Sequence, residues 1–278
     1  MTLPITWLYV PGDRPDRYGK AVASGADVVI LDLEDAVAPA RKDDARRAVA
    51  EFLARRGPEG GPALHVRIND LATRRGLDDL AELAAAPGLD ALRLPKVESP
   101  QTLDLADEIL GDRPVGAYAL LESALGVLGA EAIAAHPRVA GLALGEQDLA
   151  AELSITAEHA FDHLRLRVVL AAAAAGLPPV PMSVYADLKD TDGLIASCVR
   201  GRALGMLGRA AIHPRQLPAI RQGFRPASGE VAKAREVVEA AERARAAGVG
   251  AVALPDGRFV DAPVVTRARR TLALAEEA

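Results

Sequence analysis

Acidic side chains recur in this chain at the ends of short apolar runs, where a strand would hand over to a loop. The run DVVILDL (27–33) leads through Asp32 into Glu34 and Asp35, VGAYALLE (115–122) ends on Glu122, and VAGLALG (139–145) passes into Glu146 and Asp148. Arg67 and Asn69 mark the end of ALHVRI (63–68), Lys96 and Glu98 that of ALRLPK (91–96), and His213 follows GMLGRAAI (205–212). Taken singly, each is an ordinary solvated strand end or helix cap. Brought to one rim, four or more carboxylates repel one another unless some are protonated or a cation neutralises them. Oxygen donors with few histidines and no thiolate cluster suit a hard cation such as Mg²⁺, which takes one or two carboxylates and leaves positions for water and substrate oxygens. Arg67 offers a planar, two-pronged donor for a substrate carboxylate; its competing role is an ion pair with Glu34 or Asp35.

The elements that must bring these residues together are repeated βα units. Apolar, β-branched runs at 5–10, 27–33, 63–68, 91–96, 115–122, 139–145, 179–184 and 205–212 alternate with alanine-rich helical segments. Helices are expected over Lys42–Ala54, Leu77–Ala86, Pro100–Leu110, Leu125–Ala135 and Ala160–Ala175. Eight units favour a closed (β/α)₈ barrel, whose chemistry sits at the C-terminal ends of the strands. An open doubly wound sheet is the rival, but PGDRPDR follows the first strand where a glycine fingerprint would stand. Residues 1–222 are therefore expected to form one catalytic barrel, and 223–278 an extension. That extension reads as a charged helix from about Glu230 to Ala247, then a hairpin around Asp256–Gly257. Too small for a large core, it is expected to serve as a lid or subunit contact.

Composition narrows the function classes. The 278 residues are 50% hydrophobic but only 3% aromatic, so the core must be built from Ala, Leu and Val. With 33 Lys and Arg against 38 Asp and Glu the net charge is -5, which provides no overall field for nucleic acid or anionic lipid. The opening MTLPITWLYVPGD has no signal-peptide pattern and no segment reaches the roughly 18 apolar residues of a membrane span, so a cytoplasmic location is expected. The single cysteine, Cys198, excludes an internal disulfide.

The motifs WLYVPGDRPDR (7–17), GADVVILDLEDAV (25–37), VRIN (66–69), LPKVES (94–99), ALLESALGV (119–127), LALGEQDLAAEL (142–153), AIHPRQ (211–216) and VDAPVVTRAR (260–269) follow one another in an order and spacing that is specific. In them the chain resembles the citrate lyase β-subunit-like (CitE-like) branch of the HpcH/HpaI aldolase superfamily, which includes malyl-CoA and citramalyl-CoA lyases. The resemblance implies that Glu122 and Asp148 bind Mg²⁺ (or Mn²⁺), that Glu34 and Asp35 steady metal-bound waters, and that Arg67 holds a 2-oxo or 2-hydroxy acid. It implies a CoA thioester substrate as well, for whose phosphates Arg14, Arg17, Lys20 and Lys96 are candidates. Asp261 matches an aspartate that reaches a neighbouring subunit's site, so the extension would be exchanged as a lid within a homotrimer. Two departures stand out: Met182–Ser183 replaces an aspartate motif, and Gly208–Arg209–Ala210–Ala211 replaces a lysine, for whose charge Arg209 is the substitute.

The activity so implied is reversible cleavage of a malyl-CoA or citramalyl-CoA type thioester into an acyl-CoA and a 2-oxo acid. The alternatives are a malyl-CoA-type thioesterase or synthase, an aldolase acting on free 2-oxo acids, and a non-catalytic CoA-ester-binding lyase subunit.

Overall fold

The computed structural model describes residues 3–56, 60–246, 248, 252–254 and 257–277. Seven parallel strands form one sheet: β1 (Thr6–Pro11), β2 (Val28–Asp32), β3 (Ala63–Arg67), β4 (Ala91–Leu94), β5 (Gly116–Leu121), β6 (Val139–Leu144) and β7 (Arg209–Ala211), in the order β6-β5-β4-β3-β2-β1-β7. Between them run α1 (Pro15–Val22), α2 (Lys42–Ala54), α3 (Arg74–Leu83), α4 (Pro100–Leu110), the short α5 (Ala124–Leu128) and α6 (Ala130–Ala134), then α7 (Glu146–Leu153), α8 (Phe161–Ala174) and α9 (Thr191–Ala203). The strands carry near-continuous apolar runs, β2 being buried throughout, as both faces of a parallel sheet must be covered. Expected and observed bounds agree within a few residues for most elements. The helix expected over Leu125–Ala135 is broken at Gly129 into α5 and α6, and α3 starts three residues before its expected start at Leu77, where Thr73 accepts a hydrogen bond from Gly76 N.

One expected strand is not formed. Residues 179–184 make a single bridge, Met182 to Arg209, in place of a ladder. Pro179 and Pro181 have no N–H to give. Toward β7, Met182 N donates to Gly208 O at 2.8 Å and Ala210 N donates to Met182 O at 3.0 Å. Toward β6, the Ser183 hydroxyl donates to Leu144 O, so a side chain stands in for a ladder bond.

Strand alternation sends every second residue to one side of the sheet. There Trp7, Val28, Ile30 and Ala210 form a buried cluster, with Tyr9 and Tyr118 against it. Trp7, His65 and Tyr118 meet edge to face or tilted, with ring centroids 5.0 to 5.5 Å apart. Gly141 makes the close approach possible: a Cβ there would lie 2.3 Å from the Tyr118 ring. Following the same alternation toward the C-terminal ends, Val28 and Ile30 lead to Asp32, and His65 leads to Arg67.

The chain divides into two compact units, with the boundary at residue 221 inside α10 (Leu217–Phe224). The C-terminal unit holds α11 (Ser228–Ala246), the antiparallel pair β8 (Val252–Ala253) and β9 (Phe259–Val260), and α12 (Ala262–Glu277). Its core is small: Ala234, Val237, Ala240, Leu254, Val260 and Ala268. The expected hairpin is present as the β8–β9 pair; Asp256 of its turn lies outside the described residues, and Gly257 has a φ of 86°.

At the start of the sheet, Asp27 Oδ2 accepts from Ile5 N (2.9 Å), Thr6 N (2.8 Å) and Thr6 Oγ1 (2.8 Å), tying β1 to β2. Asp27→Ala strands these donors and should lower stability by about 3 kcal/mol, read as an earlier urea midpoint; an unchanged midpoint contradicts this role.

Candidate active site

Arg67 is the centre of the polar rim. Its Nε and Nη2 donate to the two oxygens of Asp32, its partner in register on the adjacent strand, both at 2.7 Å. Its Nη1 lies 2.8 Å from Glu34 Oε2 and donates to Asp35 Oδ2 at 3.1 Å, while the guanidinium stacks over Tyr9 at 5.1 Å. The ion-pair role is thus present, and it extends to Asp32. Asp32 also accepts from Glu34 N (3.0 Å) and Ala36 N (3.3 Å), which folds the loop after β2 back over the strand end. Lys42 on α2 fastens the same loop through Leu33 O (3.1 Å), Glu34 O (3.0 Å) and the Asn69 side chain.

Glu122 comes up from β5 on the other side and is buried. Its Oε2 accepts from Lys96 N at 3.1 Å. Lys96 holds a φ of 53°, a left-handed conformation that costs a non-glycine residue energy and that marks a built feature of the site. Gly145 leaves the room that Glu122 occupies, since a Cβ at 145 would sit 2.4 Å from Glu122 Cγ. Asp148 stands exposed in the first turn of α7. That helix is anchored by the fully buried Arg165, whose Nε and Nη2 reach the two oxygens of Glu146 at 2.7 and 2.8 Å and which also pairs with Glu158 and Asp162.

Burial pushes the Glu34 carboxyl up to about 8 against the opposing pull of Arg67, with Glu122, Asp35 and Asp32 adding to the rise. Burial likewise pushes Glu122 up to about 7, again against Arg67, with Asp148 next among the groups that raise it. The site is short of positive charge. Asp32, Asp35, Arg67, Arg93, Glu122 and Asp148 all line one cleft of about 400 Å³. Among the described residues no group of three or more His, Cys, Asp or Glu forms a ready-made metal cage. Two oxygen donors opening on a cleft, one of them desolvated and raised, nevertheless fit a hard divalent cation that keeps most of its positions for water and substrate.

Lys96 apart, the other predicted residues stand elsewhere. Arg14 is tied to Asp16 by two hydrogen bonds of 2.9 Å at the start of α1, and Arg17 and Lys20 are exposed on that helix. Lys96 holds its Nζ 3.9 Å from Glu34 Oε1. Asp261 belongs to the C-terminal unit, where its Oδ1 accepts from Val264 N (3.2 Å) and caps α12. Arg209 requires a correction: it is buried, with Nη2 donating to Ser197 Oγ at 2.9 Å and its guanidinium against Tyr185, so it is a core residue and no surface charge for a phosphate. The sequence marks Asp32 as a strand-end acid without giving it a role, and it does not single out Arg93 or Arg165 at all. The DLED string signals Asp32, whereas nothing local marks the two arginines, because their role depends on burial.

A family model described as HpcH/HpaI aldolase/citrate lyase matches residues 6–214. The (3S)-malyl-CoA thioesterase of Cereibacter sphaeroides is 39% identical, over 97% of this chain and 93% of that protein. The citrate lyase subunit beta of Leuconostoc mesenteroides is 35% identical, with 97% and 92% covered. Among solved structures, CitE of Mycobacterium tuberculosis in complex with magnesium, acetoacetate and coenzyme A is similar with a TM-score of 0.83 and 35% identity, over 98% of each chain.

Glu34 and Glu122 bind protons in the folded state that the unfolded chain has lost above about pH 5. Their contribution to stability therefore falls as pH rises from about 5 to about 8. Saturating Mg²⁺ should remove much of that loss, so the increase in melting temperature on adding Mg²⁺ is expected to be larger at pH 8 than at pH 6. Calorimetry at both values checks this; an equal or reversed increase contradicts it.

Proposed function

The chain belongs to the HpcH/HpaI aldolase/citrate lyase family, and on that footing we propose that it is a Mg²⁺-dependent carbon–carbon lyase for thioesters of the malyl-CoA or citramalyl-CoA type. The observation that carries this reading is the buried, proton-holding Glu122 beside Asp148 and the Arg67 cluster in one cleft. The magnesium, acetoacetate and coenzyme A bound by the similar CitE structure support it. In this reading the sheet and residues 179–184 are the wall of a (β/α)₈ barrel, and 223–278 is the lid that a subunit lends to its neighbour.

Glu122 and Asp148 hold the cation, with Mn²⁺ as the alternative to Mg²⁺. When bound, the cation supplies Lewis-acid polarisation of the hydroxyl and carboxylate oxygens of the substrate. Arg67, already fixed by Asp32, offsets the charge of the acid's carboxylate. Glu34, lifted to about 8, accepts the hydroxyl proton in its ionised form, which is the minor form at neutral pH and the major one above about 8. As that proton leaves, the C–O bond becomes a carbonyl, the neighbouring C–C bond breaks, and its electron pair passes to the acyl-CoA carbon. Asp261 of the partner subunit, in a homotrimer that exchanges its lids, gives that carbon a proton. Arg14, Arg17, Lys20 and Lys96 take the CoA phosphates. In reverse the same groups condense an acyl-CoA with the oxo acid.

A second reading, hydrolysis of the thioester, is favoured by the 39% identity to a malyl-CoA thioesterase over nearly the whole chain. The products separate the two. Malyl-CoA with Mg²⁺ should yield an oxo acid, trapped as its hydrazone, and no free thiol; free thiol without oxo acid selects hydrolysis, and neither product overturns the enzymatic reading. Glu122→Ala should cut turnover at least about 100-fold.

Lid exchange has its own test. Arg67→Ala and Asp261→Asn, each inactive alone, should regain part of the wild-type rate when unfolded and refolded together, because mixed trimers contain some intact sites. No regain at any mixing ratio sinks the exchange.

A further inference from the structure

Helix α8 is apolar on two sides. It packs on α6 and β6 and buries Phe161, Val168, Ala171 and Ala172, yet it leaves Leu166 and Leu170 exposed, the latter at 69%. A surface helix ordinarily has one apolar stripe and a polar opposite face, so a second stripe is a face built to be covered. Leu128 of α5 and Leu153 of α7 continue it, and with Leu166 and Leu170 they line one groove of about 580 Å³. The groove has a fixed floor. Arg167 Nε and Nη2 donate to Val127 O and Leu128 O, both at 3.0 Å, which ties the five-residue α5 to α8.

The C-terminal unit carries a matching side chain. Among its described residues Phe259 is the one large apolar side chain left exposed, at 64%, while Val260 beside it belongs to that unit's core. An aromatic ring standing alone on a polar surface is the form that interface anchors take. Ring and groove are both uncovered within a single copy of the chain, so each is available to a second copy.

Chain position says where the two would meet. Phe259 lies two residues before Asp261, roughly 7 Å along an extended chain. On the receiving side, Ala124 at the mouth of the groove lies two residues past Glu122, and Leu153 is on the same helix as Asp148. A lid that brings Asp261 to a neighbour's cleft therefore carries Phe259 to the groove next to it. We infer that Phe259 of one copy seats in the groove between α5, α7 and α8 of the next, and that this contact docks the lid. The inference rests on the lid exchange proposed above. Anchor and groove are different surfaces, so the contact is head-to-tail and repeats until it closes a ring, as a homotrimer does.

Leu128→Asp puts a charge in the groove and Phe259→Ser removes the anchor. Both positions are exposed in a single copy, so each variant should keep the wild-type circular dichroism spectrum. In sedimentation velocity each should come apart at a protein concentration at least about 10-fold higher than the wild type does. Their turnover should fall on dilution and return as the protein is concentrated. The double variant Phe259→Cys/Leu128→Cys, treated with a short bis-maleimide, should run on a denaturing gel as two and three linked chains, Cys198 being buried. Unchanged assembly in both Leu128→Asp and Phe259→Ser overturns the inference, and lid exchange still stands if Arg67→Ala and Asp261→Asn complement each other. Linkage confined to single chains overturns it too, by seating the ring in its own copy's groove. A wild-type chain that stays single at every concentration overturns lid exchange and this inference together.

Discussion

Carboxylates crowd this protein's strand ends more densely than water alone would allow, and the two-pronged bond between Arg67 and Asp32 is what makes the crowding tolerable. Both side chains are nearly sealed from solvent, so the pair is strong only because its geometry is good and its remaining donors and acceptors are used. Asp32 spends its other capacity on the backbone N–H groups of Glu34 and Ala36, and Arg67 spends its own on Glu34 and Asp35. The loop that carries Glu34 is therefore shaped by the same pair that neutralises it. Removing either partner exposes a buried charge and frees the loop in one step.

Around that pair the protein divides positioning from chemistry. Arg165 and Lys42 are cations that anchor backbone: one holds the first turn of α7 by its Glu146, and the other holds the β2 loop by its carbonyls. Asp148 and Glu34 owe their places to these anchors; Asp148 stays exposed, and Glu34 turns its carboxyl group to Arg67. Glu122 is placed differently, by an absent side chain at Gly145 and a bent backbone at Lys96. Rigid support behind a few oxygens is what the proposed binding of a cation and an acid together requires.

Most of the fold could be read from the sequence because its signals are local. Lys42–Ala54 and Pro100–Leu110 were bounded to the residue, and the strand ends bearing Asp32, Arg67 and Glu122 fell where the apolar runs stopped. Residues 179–184 misled because the apolar pattern outvoted two prolines that have no N–H for a ladder. The candidate site was legible as a set of charges but not as a set of pairs. That Arg67 would choose Asp32, and that Arg209 would turn inward against Tyr185, depends on neighbours supplied by distant strands. Asp261 was placed by motif, and its own unit shows it capping a helix.

The proline-bearing wall has a consequence for how the cleft varies over generations. In an ordinary strand, inserting or deleting one residue turns every side chain to the opposite face and ruins the core. Residues 179–184 are fixed on one side by backbone bonds at Val180 and Met182 and on the other only by the Ser183 hydroxyl, so on that second side no ladder ties their frame. Substitutions at the cleft-lining positions can accumulate there while the seven-stranded frame and the Arg67–Asp32 pair stay as they are. That stretch, lining the cleft with Pro181, Met182, Ser183 and Val184, is where a lineage can retune what it accepts without rebuilding the protein.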